Sequence, residues 1–299
     1  MTNMKKLFNA SFEQSLNLLD DQLVMYMIKD TEKRSLYNGE KKYLLLVLSI
    51  TFILIQYSLV LLTQYIIDNP DSDSFVPKSD INFLSKPIFW LFFGSYIVCW
   101  IYMNLKNDGN KSVNVFVTMC SVNNFTLWLI VEINLMFITA FLKPLTVLGT
   151  IVLLIGVSII GFIILKSKIK FFNVALLEMR KNTNTIDAFI EKILQIILKY
   201  GWIVIVVWAG WKIFFPSNGT PRTDVVGFIS VVGLWIALDI GFIAAEAYLF
   251  FPYLLHGYYK YKYPEEYREW EGKTQLEWYG EKYFNKHIKG TEKEVNEEQ

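Results

Sequence analysis

The sequence predicts an all-α fold: a polytopic bundle of about six transmembrane helices with both ends in the cytoplasm. Three observations predict it. Of the 299 residues, 53% are hydrophobic and 19% charged, and mean hydropathy is +0.32, which leaves more apolar surface than a soluble domain of this size can hide. The apolar residues gather into runs long enough to cross a hydrocarbon layer of about 30 Å. The basic residues fall overwhelmingly on one side of those runs.

The runs lie at 43–67, 87–105, 122–142, 145–165, 193–215 and 225–255. Helices are expected in each, because lipid offers backbone polar groups no outside partner. A barrel would need alternating strands of about ten residues, and none occur. Twenty-four Lys and Arg lie in the N-terminal 42 residues, the turn at 106–112, the stretch 166–199 and the tail from 256, against five in the remaining connections. That asymmetry makes both ends and the 166–192 loop cytoplasmic, and the acidic stretch 68–73 external. No cleavable leader is expected; the first run reads as a retained signal-anchor.

Residues 1–42 form the N-terminal segment, in which Phe8, Phe12, Leu16, Leu19, Leu23 and Met27 recur at helical spacing. Ser11 and Gln14 have the spacing of a capping box. Such an amphipathic helix lies on the inner leaflet or packs under the bundle. Asp20 and Asp21 favour the second, since the leaflet is itself negative. A second amphipathic stretch covers 169–179, and Thr185 with Asp187 reads as the N-terminus of a long fifth helix.

The tail, 256–299, opens with tyrosines and lysines at 256–264, which read as an interfacial belt. Pro264 and Gly272 bracket a short helix, Thr274 and Glu277 form a second capping box, and a further helix ends at Gly290 with Gly280 as a weak point. Residues 291–299 are expected to be disordered. Cys99 and Cys120 are expected as two buried free thiols, not a disulfide. Usage rich in Lys, Asn, Ile, Phe and Tyr resembles that of AT-rich bacteria, so a bacterial cell membrane is the expected location.

Phosphate-binding and dinucleotide glycine motifs, paired-cysteine zinc motifs and the serine-hydrolase elbow are absent from the sequence. The only histidines are His256 and His287, both in the tail, so no intramembrane two-histidine metal site can form. No enzymatic activity, cofactor or metal is expected, and a net charge of +1 gives nucleic acid no foothold. The expected partners are the lipid bilayer and a membrane protein or toxin.

Acid inside the membrane stands out. Glu132 lies near the middle of the third run with Asn134 beside it and Asn123 and Asn124 nearer the cytoplasm. Asp239 lies near the middle of the sixth, with Glu246 seven residues on and on the same face. An acid at mid-membrane costs about 2.5–3.5 kcal/mol, so these positions need a reason. They form either a path for protons or cations between the third and sixth helices, or hydrogen-bonded glue worth about 0.6–2 kcal/mol per bond, which is slightly preferred. Ala237, Gly241 and Ala245 make a small-residue ridge that lets another helix approach closely. The expected function is non-enzymatic: an accessory subunit or a self-protection (immunity-type) protein against a membrane-active toxin. The alternatives are a small proton- or cation-coupled transporter or channel, or the permease subunit of an ATP-driven exporter.

Overall fold

The computed structural model describes residues 7–33, 42–69, 80–107, 110–178, 188–190, 192–197, 199–200 and 225–295. Every regular element among them is helical: α1 (Phe12–Leu16), α2 (Gln22–Lys33), α3 (Lys42–Asp68), α4 (Lys86–Asn107), α5 (Lys111–Glu178), α6 (Val225–Ala245), α7 (Phe251–Lys262), α8 (Pro264–Trp270), α9 (Gln275–Tyr279) and α10 (Glu281–His287). Ser49–Asp68, Lys111–Leu176 and Val225–Lys262 are long and apolar enough to cross a membrane, and Lys86–Tyr102 is a shorter apolar helix. The acidic stretch at 70–73, the Thr185 cap and most of the expected fifth run, 201–215, lie outside the described residues.

α5 contains both the third and the fourth apolar runs, divided at the boundary that the apolar pattern predicts. Pro144 interrupts the helix, and Thr146 takes φ 63° and ψ 163°, a non-helical conformation that reverses the chain. Thr146 then caps the helical limb beyond it, its Oγ1 accepting from Gly149 N at 3.3 Å. Contacts give the direction of each limb. Along the first limb, residue numbers rise as those of its partners fall: Phe116 lies against Gly257, Asn134 bonds Asp239, and Phe141 meets Phe228. Along the second limb they rise together, Gly161 facing Ile243 and Phe172 facing Phe251. The limbs are therefore antiparallel, a helical hairpin with its tip at 144–146.

α3 and α4 cover the other side of the first limb. Phe52 stacks on Phe125, Phe92 stacks on Trp128, and Val60, Leu84 and Phe89 pack with Leu135 and Met136. The outward faces of α3, α4 and the second limb carry exposed Leu54, Leu91, Leu148 and Phe162, the surface an apolar solvent would cover. Cys99 is on such a face and is exposed rather than buried as expected, while Cys120 is half-buried; both are free thiols. The sequence could not show which side of α4 is turned from the bundle, because α4 is apolar all round.

At the basic end, the N-terminal segment and the tail form a second core. Leu7, Ala10 and Leu18 pack with Phe172, Leu176, Leu255, Tyr259, Tyr267, Trp278 and Tyr279. The expected single amphipathic helix is two, α1 and α2, parted by a 3-10 turn at Asn17–Asp20. The break occurs because Asp21 caps α2, its Oδ1 accepting from Leu23 N at 2.9 Å and Val24 N at 3.3 Å. Its Oδ2 accepts from Lys168 Nζ at 2.8 Å, with side chains 2% and 1% exposed. The Lys168 ammonium also lies 4.6, 4.9 and 4.5 Å from the ring centres of Phe171, Phe172 and Tyr248.

Of the tyrosines expected as a lipid belt, Tyr258, Tyr259 and Tyr263 are engaged inside the protein, while Tyr261 is exposed. Residues 8–10 lie outside any helix before α1, and backbone groups of 7–10 find partners outside the segment. Tyr258 Oη donates to Phe8 O at 3.3 Å, Tyr263 Oη to Ala10 O at 2.8 Å, and Tyr259 Oη to Leu7 O, while Ala10 N donates back to Tyr259 Oη. Both capping boxes form as the spacing predicts. Gly280, at φ +80°, splits the expected last helix into α9 and α10, and a Cβ there would come within 3.2 Å of Lys111 Cβ. Residues 291–295, expected to be disordered, return to Gln275, which donates to Lys293 O and accepts from Val295 N.

Candidate functional site

The first limb of α5 has two faces, and the polar residues divide between them. At 100° per residue, Asn123, Asn134, Phe137 and Phe141 share one face, while Phe125, Trp128, Glu132, Met136 and Thr139 share the opposite one. The first face meets α6 and the second meets α3 and α4. Asp239 is 5% exposed and its Oδ1 accepts from Asn134 Nδ2 at 2.7 Å. Asn134 Oδ1 in turn accepts from Trp235 Nε1 at 2.9 Å, and Asn134 Nδ2 also reaches Ile130 O at 3.0 Å. Trp235 stacks on Phe137, so the relay is walled by aromatic rings. Both ends of one amide are thereby used to join two positions of α6, one turn apart.

Two turns nearer the basic end, Asn123 meets Glu246. With its amide nitrogen toward the carboxylate, Asn123 donates to Glu246 Oε1 at 2.9 Å and Oε2 at 3.0 Å. The seven-residue spacing keeps Asp239 and Glu246 on one face, as expected, because α6 stays regular up to Ala245. Glu246 then opens a π-turn, Glu246–Phe250, whose widened backbone runs from Phe251 N to Glu246 O. Pro252 accounts for it: a proline cannot donate to Tyr248 O, and its ring would crowd that carbonyl in a regular helix. The turn buries Ala247, Tyr248 and Leu249 against Leu23 and Ile164.

Glu132 is not part of this interface. It is 1% exposed on the α3–α4 side, and its Oε2 has no hydrogen-bond partner among the described residues. The expectation of three acids along one path between the third and sixth helices is thus corrected: Asp239 and Glu246 are brought together with Asn134 and Asn123, and Glu132 stands a half-turn of the helix away. Ala237 and Gly241 are exposed, with nothing within 4 Å of a Cβ placed on Gly241, while Ala245 packs beside Ala247 and Tyr248.

Chemically, the α5–α6 cluster is a closed hydrogen-bond relay, whereas Glu132 keeps unused hydrogen-bonding capacity. No group of three or more His, Cys, Asp or Glu among the described residues could hold a metal ion. Sequence reasoning missed Trp235, although its place four residues before Asp239 was a usable signal. It also missed the buried Lys168–Asp21 pair, for which no local signal exists, since the partners are 147 residues apart. Comparison with protein-family models, with curated proteins and with solved structures gives no match.

Proposed function

We propose that the chain is a six-span cell-membrane protein, with both termini cytoplasmic, that acts without catalysis through helix–helix recognition, as an accessory subunit or a self-protection protein against a membrane-active toxin. The observation that carries this reading is the Asp239–Asn134–Trp235 relay. Its groups are bonded to one another and walled by Phe137, which supports a role in holding helices in register rather than in passing ions. The exposed positions Ala237 and Gly241 on the same helix support a surface that a partner helix can approach. The lipid bilayer and a membrane protein or toxin are the proposed partners.

One observation favours a second reading. Glu132 is buried with a carboxyl oxygen unpartnered among the described residues, which suits a small proton- or cation-coupled transporter or channel. Proteoliposomes loaded with a pH-sensitive dye separate the two. On the recognition reading no proton or cation flux appears, and Glu132→Gln and Asp239→Asn fold and act like the parent. A flux abolished by Glu132→Gln in a normally folded variant overturns that reading in favour of transport. Within the recognition reading, Gly241→Leu is expected to abolish partner or toxin protection while leaving the unfolding midpoint unchanged.

A further inference from the structure

At the basic end of the bundle, α2, the start of α5, α7, the α8–α9 turn and α9 line a half-open cavity of about 600 Å³. That is the size of a small-molecule site. It shares no residue with the buried acids and is independent of how they are read. Lys111, Lys260 and Lys273 line it, together with His256, Phe116 and Trp278. The lysines come from separate segments of the chain, so their convergence is a tertiary feature and not a run of charge.

Ammonium groups outnumber carboxylates in the walls. His256 is 4% exposed and sits edge-on to Tyr267 at 5.6 Å. Trp278 Nε1 is buried without a partner among the described residues. Two ammonium groups lie over the Trp278 ring, Lys260 Nζ at 5.5 Å and Lys273 Nζ at 5.7 Å from its centre. Two carboxylates stand nearby. Glu271 is held by Lys260 and, at 2.6 Å, by Lys273, while Glu277 lines the cavity and is engaged in capping Thr274 N at 3.0 Å. Each ammonium has three donors, so pairing with Glu271 leaves Lys260 and Lys273 further donors to offer. Three cations against two anions leave a positive excess. The positive end of the α5 dipole points the same way, although its first free amide, Ser112 N, is taken by Asn110 Oδ1 at 3.1 Å.

Ammonium groups are compact point charges suited to tetrahedral oxyanions, and the aromatic wall suits a carbon skeleton attached to one. We propose that this cavity binds a phosphate-bearing ligand, its phosphate between Lys111, Lys260 and Lys273 and its carbon skeleton against Phe116. The same group is offered by an anionic phospholipid headgroup and by a free organic phosphate.

The test uses the full-length protein purified in a neutral detergent. One arm measures thermal shifts with inorganic phosphate and glycerol 3-phosphate. The other measures, by native mass spectrometry, retention of phosphatidylglycerol against phosphatidylcholine. Lys111→Gln and Lys273→Gln alter exposed side chains and are each expected to weaken binding about tenfold. Glu277→Gln keeps the cap and is expected to tighten it, and Lys289→Gln, away from the cavity, to leave it unchanged. Selective retention of phosphatidylglycerol with no phosphate shift assigns the site to a headgroup. A shift with glycerol 3-phosphate assigns it to a soluble ligand. Absence of binding in both arms overturns the proposal, and so does binding that survives both lysine substitutions.

Discussion

Asn134 donates to Asp239 and accepts from Trp235, so one amide satisfies two buried groups of the neighbouring helix. Asn134→Leu strands both. Such a group costs about 1–3 kcal/mol in a water-soluble core, but interhelical bonds in membranes average nearer 0.6, so a loss of about 1–2 kcal/mol in detergent unfolding is expected. Glu132→Gln removes no described hydrogen bond and is expected to change stability by less than about 0.5 kcal/mol. A larger loss for Glu132→Gln than for Asn134→Leu would reverse the assignment of which residue pins the bundle. The Lys168–Asp21 pair makes a sharper residue-scale case, because it is almost wholly removed from solvent. Lys168→Met leaves a buried carboxylate and is expected to cost about 3–5 kcal/mol, whereas Lys168→Met with Asp21→Asn, which keeps the helix cap, is expected to recover much of it. An additive double variant would show that the pair carries no coupling.

The element that depends most on others is the tail. Tyr267, Trp278, Tyr279 and Ile288 share a core with Leu7, Ala10 and Leu18. Truncation after Tyr263 therefore removes the far wall of that core and is expected to unfold the N-terminal segment too, seen as rapid proteolysis within residues 7–33. Truncation after Gly290 removes only the return to Gln275 and is expected to lower the unfolding midpoint slightly. Equal protease resistance of the two truncations would contradict a shared core. The tail also has its own pH response. Burial alone would raise the Glu271 carboxyl, but the neighbouring Lys260 and Lys273 ammonium groups outweigh it and hold it below the ordinary value of 4.5. A lowered folded-state value means the pair's stabilisation is complete above the ordinary carboxylate range and is lost as pH falls through the lowered value. The unfolding midpoint is thus expected to drop on acidification below the ordinary carboxylate range, and to drop less in Glu271→Gln.

For the whole molecule, the ends of the bundle differ in chemistry. Asp80, Lys143 and the hairpin tip at Thr146 stand at one end, while Lys111, Gly257 and Lys273 stand at the other, where most of the basic residues among those described lie. Cysteine introduced at Asp80 is expected to react with an impermeant reagent in intact cells, and cysteine at Lys273 only after permeabilisation. External labelling at Lys273 would overturn the arrangement with both ends inside. The hairpin within α5 makes this a test of more than orientation, since a continuous α5 would place its two ends on opposite sides.

Helical class, the length of the apolar runs, the hairpin boundary near Pro144 and both capping boxes were determined by the sequence alone, because each rests on residues within a few positions of one another. Composition pointed to lipid, with which the three long apolar helices are consistent, and spacing put Asp239 and Glu246 on one face. Only the tertiary structure decided the rest. It separated Glu132 from the other acids, since a helix that is apolar all round does not reveal which neighbour each face will meet. It turned Tyr258, Tyr259 and Tyr263 toward residues 7–10 and left Tyr261 exposed, because an aromatic hydroxyl suits an interface and an unpaired carbonyl equally well. It also paired Lys168 with Asp21 and gathered Lys111, Lys260 and Lys273 around one cavity. Contacts between residues so far apart in the chain depend on how helices pack, and no local pattern encodes them.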